Sequence, residues 1–360
     1  MYDLLLSPFR IQGLTLPNRI VMPPMVSLLA GDDGTVTRDH IVHYEQSAGP
    51  GLIMVEGTAV LPEGRIGTRQ LGIYSDRHIE GLSEIAEAIH STGAVAGIQI
   101  HHAGATAFAE ARGHEAYRRI PPILVRLMWQ QFATSRLVRI ENAFRAAGRR
   151  AVEAGFDIIE LHAAHGYIFS QFLSPLMNWR IDKYGGDIQN RSRLLLDVFR
   201  AVQEEAAGRA LVTSRIGLAD GHRHGLTLPD GLSVALRLQD EGAALLSISH
   251  GSGTPNSVAP EGSPYSPLMQ LARRAKSVLR IPVIGGGGVR RPGLAEQALR
   301  DGMADLVFVG HGMLADPGWA RKVIEGREDT IVPCRGCKSC LWFDDWRKCP
   351  ARREADEGWR

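Results

Sequence analysis

Phe156-Asp-Ile-Ile-Glu-Leu-His162-Ala-Ala-His165-Gly-Tyr167 decides the reading of this chain. Its first half is apolar and branched, as a buried strand is. Its second half puts two imidazoles and a phenol at that strand's C-terminal end. Two imidazoles there can donate hydrogen bonds to one oxygen, and a phenol beside them can donate a proton. Outward from this stretch, similar runs recur at residues 19–22, 52–56, 95–100, 211–216, 245–249, 282–285 and 306–309. Amphipathic patterns separate them at 79–91, 136–154, 191–205, 229–241, 267–279, 293–300 and 319–325. Strand then helix, eight times at fairly even spacing, predicts an α/β chain closed as a (β/α)8 TIM barrel. A doubly wound sheet alternates in the same way and is the competing architecture.

In a barrel, chemistry collects at the C-terminal strand ends. Here those ends carry Glu56-Gly57, Gln99 with His101 and His102, His162, Arg215, His250, Gly285-Gly-Gly-Gly288 and Gly310-His311. Packing alone does not call for that convergence. The irregular stretch 103–131, with Pro121-Pro122, reads as an excursion over the same face.

The chain has 360 residues, 44% of them hydrophobic, with Lys+Arg 41 against Asp+Glu 39. A net charge of +2 points to neither nucleic acid nor a membrane surface as the main partner. There is no basic segment before the first apolar run and no apolar stretch of membrane-spanning length, so a cytoplasmic protein is expected. All four cysteines, Cys334, Cys337, Cys340 and Cys349, follow residue 333. The predicted organisation is a barrel over 1–330 and a short Cys-rich extension over 331–360.

The glycine runs after the seventh and eighth strands suit a phosphate, because glycine lets backbone N–H groups approach an anion closely. Tight barrel turns would use the same residues. Arg215 interrupts an apolar strand, either as a structural ion pair or as a cation facing an electron-rich ring. Gln99 is either a satisfied core amide or a partner for a flat heterocycle. His162 and His165 could instead ligate a metal, although no Asp or Glu in the turn completes a set. Cys334-x2-Cys337-x2-Cys340-x8-Cys349, with Pro350 next, suits a [4Fe–4S] cluster, with tetrahedral zinc as the alternative. Trp342, Phe343 and Trp346 would wall such a site or pack it onto the barrel.

With these motifs in hand, the chain resembles the old yellow enzyme family. Within it, the chain is most similar to the branch that holds 2,4-dienoyl-CoA reductase, trimethylamine dehydrogenase and the enoate reductases. The resemblance runs through Pro17-Asn-Arg-Ile-Val-Met-Pro-Pro-Met25, Gly51-Leu-Ile-Met-Val-Glu-Gly-Thr-Ala59, Gln99-Ile-His-His-Ala-Gly104, His162-Ala-Ala-His-Gly-Tyr167, Phe172-Leu-Ser-Pro175, Asp182-Lys-Tyr-Gly-Gly186 and Leu314-Ala-Asp-Pro317.

It implies a barrel holding FMN. Pro23, Pro24 and Met25 would lie along the flavin, Gly57 at its edge and Gln99 on its pyrimidine ring. Arg215 would face N1 and O2. Gly287, Gly288, Gly310 and His311 would hold the phosphate. His162 and His165 would anchor a substrate carbonyl, and Tyr167 would donate the proton. The implied activity is reduction of the C=C bond of an enone, enoate or enoyl thioester, with NAD(P)H as a possible donor. A homo-oligomer is expected by the same resemblance.

Departures from the family pattern are specific. Val26 stands where some relatives place a cysteine, Leu28 where some place a tyrosine, and His311 where an arginine is usual. The last cysteine gap is shorter than in cluster-bearing relatives. Those relatives continue into further nucleotide-binding domains beyond the point corresponding to Arg360. A cluster here would exchange electrons with a separate electron-transfer protein. Two other readings stay open: an amine dehydrogenase or demethylase passing electrons through the cluster, and a flavin-bearing electron-transfer subunit.

Overall fold

A computed structural model describes residues 2–110, 134–255, 259–343 and 345–357. Most of the expected excursion lies outside these residues. A short antiparallel hairpin comes first, β1 (Phe9–Ile11) and β2 (Leu14–Leu16). Eight parallel strands follow: β3 (Ile20–Met22), β4 (Leu52–Ala59), β5 (Val95–His101), β6 (Ile158–Ala163), β7 (Leu211–Gly217), β8 (Leu246–Ser249), β9 (Val283–Gly286) and β10 (Leu306–Phe308). They close in chain order, with β10 pairing β3. The doubly wound alternative is thereby excluded. Each of the eight predicted runs became a strand, with ends moved by a few residues.

The helical patterns appear as Ile79–Ser91, Thr134–Glu153, Arg193–Ala206, Leu228–Asp240, Pro267–Lys276, Pro292–Arg300 and Trp319–Ile324. The helix Arg38–Gln46 between β3 and β4 was not anticipated. Its mean hydropathy is low, and its buried face is built from His40, Ile41, His43 and Tyr44. Two histidines on a core face hide it from a search for apolar periodicity.

Alternate residues of each strand face opposite sides. On β6, Ile159, Leu161 and Ala163 join the large core between strands and helices. Ile158 instead joins a smaller cluster inside the barrel, with Val21, Leu52, Met54, Val95, Ile284, Leu306 and Phe308. Ile11 and Leu16 of the hairpin belong to that inner cluster. The hairpin therefore closes the N-terminal mouth with apolar side chains. Toward the other mouth the inward positions turn polar, and that change places the site.

The C-terminal segment lies against the barrel. Trp342 is buried, and its ring centroid is 5.8 Å from that of His43 on helix Arg38–Gln46. Arg352 donates a hydrogen bond to Gln46 Oε1. No helix among the described residues is long and apolar enough to cross a membrane.

Candidate active site

A cavity of about 820 Å³ opens at the C-terminal ends of the barrel strands. Its walls bring together every position that the resemblance assigned to the flavin or the substrate, while Glu56, His102, His250, Gly285 and Gly286 do not line it. Pro23, Pro24 and Met25 follow β3, Gly57 is on β4, and Gln99 is on β5. His162, His165 and Tyr167 come from the end of β6, and Arg215 from β7. Gly287 and Gly288 follow β9, and Gly310 and His311 follow β10. A void of this size is in the range that holds a cofactor or drug-sized ligand.

The cavity floor is a charged and amide layer set by register. Gln99 of β5 pairs Glu160 of β6, and His162 pairs Arg215 of β7. Gln99 Nε2 donates to Glu160 Oε1 across 2.8 Å. The amide thus has a protein partner, which leaves its oxygen toward Gly57, where an added Cβ would sit 3.3 Å from it. Burial pushes the Glu160 carboxyl up to about 7, against the opposing pull of Arg215 and the Gln99 bond. Burial also lowers the Arg215 pKa, while Glu160 raises it. A guanidinium keeps its proton through such a shift, so Arg215 is charged at neutral pH. Its Nε is buried with no hydrogen-bond partner. Orphaned buried donors are rare, and this one lines an open cavity, as a site for an acceptor would require.

The histidines form a chain. His101 Nδ1 lies 3.1 Å from His162 Nδ1. His162 Nε2 lies 2.9 Å from His165 Nδ1, and His165 Nε2 lies 2.6 Å from Ser249 Oγ. The expectation was two imidazoles presented side by side to one oxygen. In the structure their facing nitrogens bond each other. Burial, followed by the neighbouring His165, His101 and Arg215, holds His162 well below the usual imidazole pKa. Burial and then Arg215, His250 and His101 do the same to His165. Both rings are therefore neutral at pH 7. Tyr167 sets its ring edge against His101, with centroids 4.5 Å apart, and near His162 at 4.9 Å.

Two non-glycine residues on the cavity wall have left-handed backbones, Leu28 at φ 55 and His165 at φ 60. Such conformations cost of order 1–3 kcal/mol and persist where the surroundings impose them. For His165 the surroundings include the bonds on both ring nitrogens and the backbone bond from its N–H to His250 O.

At the other end of the cavity, Gly287 and Gly288 have φ 92 and φ 71. A Cβ on Gly287 would come within 2.9 Å of Leu268. Burial and Arg290 both lower the His311 pKa. The ring faces Phe343 at 6.4 Å between centroids.

The four cysteines line a second cavity of about 240 Å³, together with Arg290 and His311. Burial raises the Cys340 thiol pKa, and proximity to Cys349 and Cys334 adds to the rise. Among the described residues, no three His, Cys, Asp or Glu side chains are grouped to hold a single metal ion.

Reading the sequence by motif passed over Glu160, Ser249 and Arg290, and it left His101 without a role. Period-two alternation would have found three of them. Glu160 precedes His162 by two on one strand, and His101 follows Gln99 by two. Ser249 ends its strand in the same phase as Ser247, which pairs Arg215.

The profile described as the NADH:flavin oxidoreductase / NADH oxidase family matches residues 4–330. The chain belongs to that family. It is 39% identical over 324 residues to an NADPH dehydrogenase of Geobacillus sp. (strain WCH70), covering 89% of this chain and 93% of that one. It is 37% identical over 341 residues to an NADH oxidase of Thermoanaerobacter brockii, covering 92% of this chain but 52% of that one. The chain thus spans about half the length of the second relative. Among solved structures, morphinone reductase superposes with a TM-score of 0.72 at 26% identity, covering 89% of each chain. This is a family of flavin-dependent oxidoreductases, and the open cavity with its unpartnered Arg215 Nε fits a flavin.

Proposed function

We propose that this protein is an FMN-dependent reductase of the C=C bond in α,β-unsaturated carbonyl compounds, fed by NAD(P)H. The observation that carries the reading is the single cavity in which a flavin-sized space meets His162, His165 and Tyr167. The relatives named above support the donor. FMN, when bound, supplies the hydride. Gln99 and Arg215 would hold its ring, with the Arg215 Nε satisfied by a ring acceptor. Pro23 to Met25 would flank it.

The histidine chain explains how a carbonyl could be anchored. In the empty pair, one of the two facing nitrogens carries a proton and the other accepts it. A carbonyl oxygen placed between them has two lone pairs and takes an N–H from each ring. For that, the outer nitrogens must both accept. His101 Nδ1 can donate to His162 Nδ1, and the Ser249 hydroxyl can donate to His165 Nε2. A tautomer change in one ring, together with separation of the two nitrogens to admit the oxygen, is then required, and no charge is buried. Two donors aimed at one oxygen stabilise the negative charge that develops there. Tyr167, packed on His101 and His162, holds the proton destined for the α-carbon.

The Cys-rich segment begins where the family match ends, at residue 330. We read its four thiols as ligands of a [4Fe–4S] cluster that exchanges electrons with a separate protein. The cavity that all four thiols line, and the Cys334-x2-Cys337-x2-Cys340 spacing, support this reading. Anaerobic purification followed by a visible spectrum and metal analysis tests both cofactors. A flavin spectrum, with iron and sulfide each near four per chain, is the expected result. Colourless protein that gains no flavin band on adding FMN would falsify the reading, and one zinc per chain would remove the cluster. Retention of alkene reduction by the double variant His162→Ala, His165→Ala would remove the proposed anchor.

A further inference from the structure

We propose that Arg290 is the fixed cation for the flavin's phosphate in this chain. The inference rests on the FMN reading above and goes beyond the glycine and His311 set. A phosphomonoester near neutral pH carries close to two negative charges, and backbone N–H groups alone do not neutralise them. Two guanidinium groups line the cavity, Arg215 and Arg290. Arg215 sits on β7 beside His162, at the end where the substrate groups gather. Arg290 lies two residues after Gly288 and three after Gly287, at the end where the glycines open the backbone.

His311 is a poor alternative, because burial and the Arg290 charge itself keep its imidazole neutral. Arg290 has the opposite character. It is exposed, and a guanidinium is charged at any physiological pH. No ion pair engages its guanidinium among the described residues. A planar guanidinium also matches a phosphate in a bidentate way that an imidazole cannot.

The surroundings hold this arginine in place. Trp319, fully buried, donates its indole N–H to the Arg290 carbonyl across 3.2 Å, which fixes the backbone. The guanidinium lies over Gly336 of the cysteine segment, where an added Cβ would sit 3.4 Å from Nη2 and 3.5 Å from Nη1. Gly336 has φ 65, so a side chain there would be strained. Arg290 therefore stands on the wall shared by the flavin cavity and the cysteine cavity. The cysteine segment backs the cation from behind and leaves its front to the phosphate.

The test compares FMN with riboflavin, which lacks the phosphate. The apoprotein is titrated with each flavin and flavin fluorescence is followed. In the wild-type protein FMN should bind more tightly than riboflavin, and inorganic phosphate should weaken FMN binding. Arg290→Ala should weaken FMN by about tenfold or more, the scale of a lost charged hydrogen bond, and leave riboflavin unchanged. Arg290→Lys should recover part of the loss, and added salt should weaken FMN more in the wild type than in Arg290→Ala. Equal loss of both flavins, or no loss of FMN, overturns the proposal. If the wild-type protein binds neither flavin, the FMN reading itself fails, a result distinct from both.

Discussion

His165 shows how much one residue is asked to do. Its backbone is left-handed at φ 60, and both its ring nitrogens are bonded. The Ser249 hydroxyl bonds Nε2 of that ring, and by donating to it leaves the proton on Nδ1. Ser249→Ala should raise KM for an enone by about tenfold, the cost of one charged or strongly polarised hydrogen bond, with flavin content unchanged. Steady-state kinetics beside the visible spectrum checks this, and an unaltered KM sinks the tautomer argument. Tyr167→Phe removes the proposed proton donor but keeps the ring that packs on His101. Alkene reduction should fall by about a hundredfold or more, while reduction of the flavin by NAD(P)H in stopped flow keeps its rate.

At the scale of elements, the loop after β9 is built by glycine. Gly287 has φ 92 and no room for a Cβ beside Leu268 and Ser266. Gly287→Val should therefore lower stability by about 1–3 kcal/mol and reduce flavin occupancy. Thermal unfolding of the apoprotein and the ratio of flavin to protein absorbance report the two effects. A variant with full flavin and unchanged Tm would show that the backbone there has slack. The cysteine segment acts at the same scale. Trp342 anchors it to helix Arg38–Gln46, while Phe343 reaches the flavin cavity. Its aromatic residues thus pack the segment onto the barrel, one of the two roles expected for them.

At the scale of the molecule, the barrel interior is apolar near the hairpin and polar near the open mouth. Glu160 is the buried carboxyl of the polar layer. Its carboxyl is pushed up to about 7 by burial, above the ordinary value of 4.5. The folded apoprotein therefore binds a proton more tightly than the unfolded chain does. The stability Glu160 contributes is fully present below pH 4.5 and is lost as pH rises through about 7. Glu160→Gln should remove that part of the decline. Urea unfolding of both apoproteins between pH 5 and about pH 8 measures it. Parallel curves would show that Glu160 is not protonated there.

The sequence by itself determined the repeated strand-helix alternation, and closure of β10 on β3 decided for the barrel over the doubly wound sheet. Eight apolar runs with helical spacers leave few other ways to bury both faces of each strand, and the observed strands fall on all eight. It also determined the membership of the cavity, because a parallel barrel puts every strand's C-terminal end on one face. Pro23 and His311 are distant in the chain, yet they had to meet there. Only the tertiary structure decided how those side chains engage one another. The bond between His162 and His165, the hold of Gln99 on Glu160 and the place of Arg290 between two cavities depend on lateral register and side-chain direction. These are contacts between strands and loops far apart in sequence, and a local pattern carries residue type and phase but not the partner across the barrel.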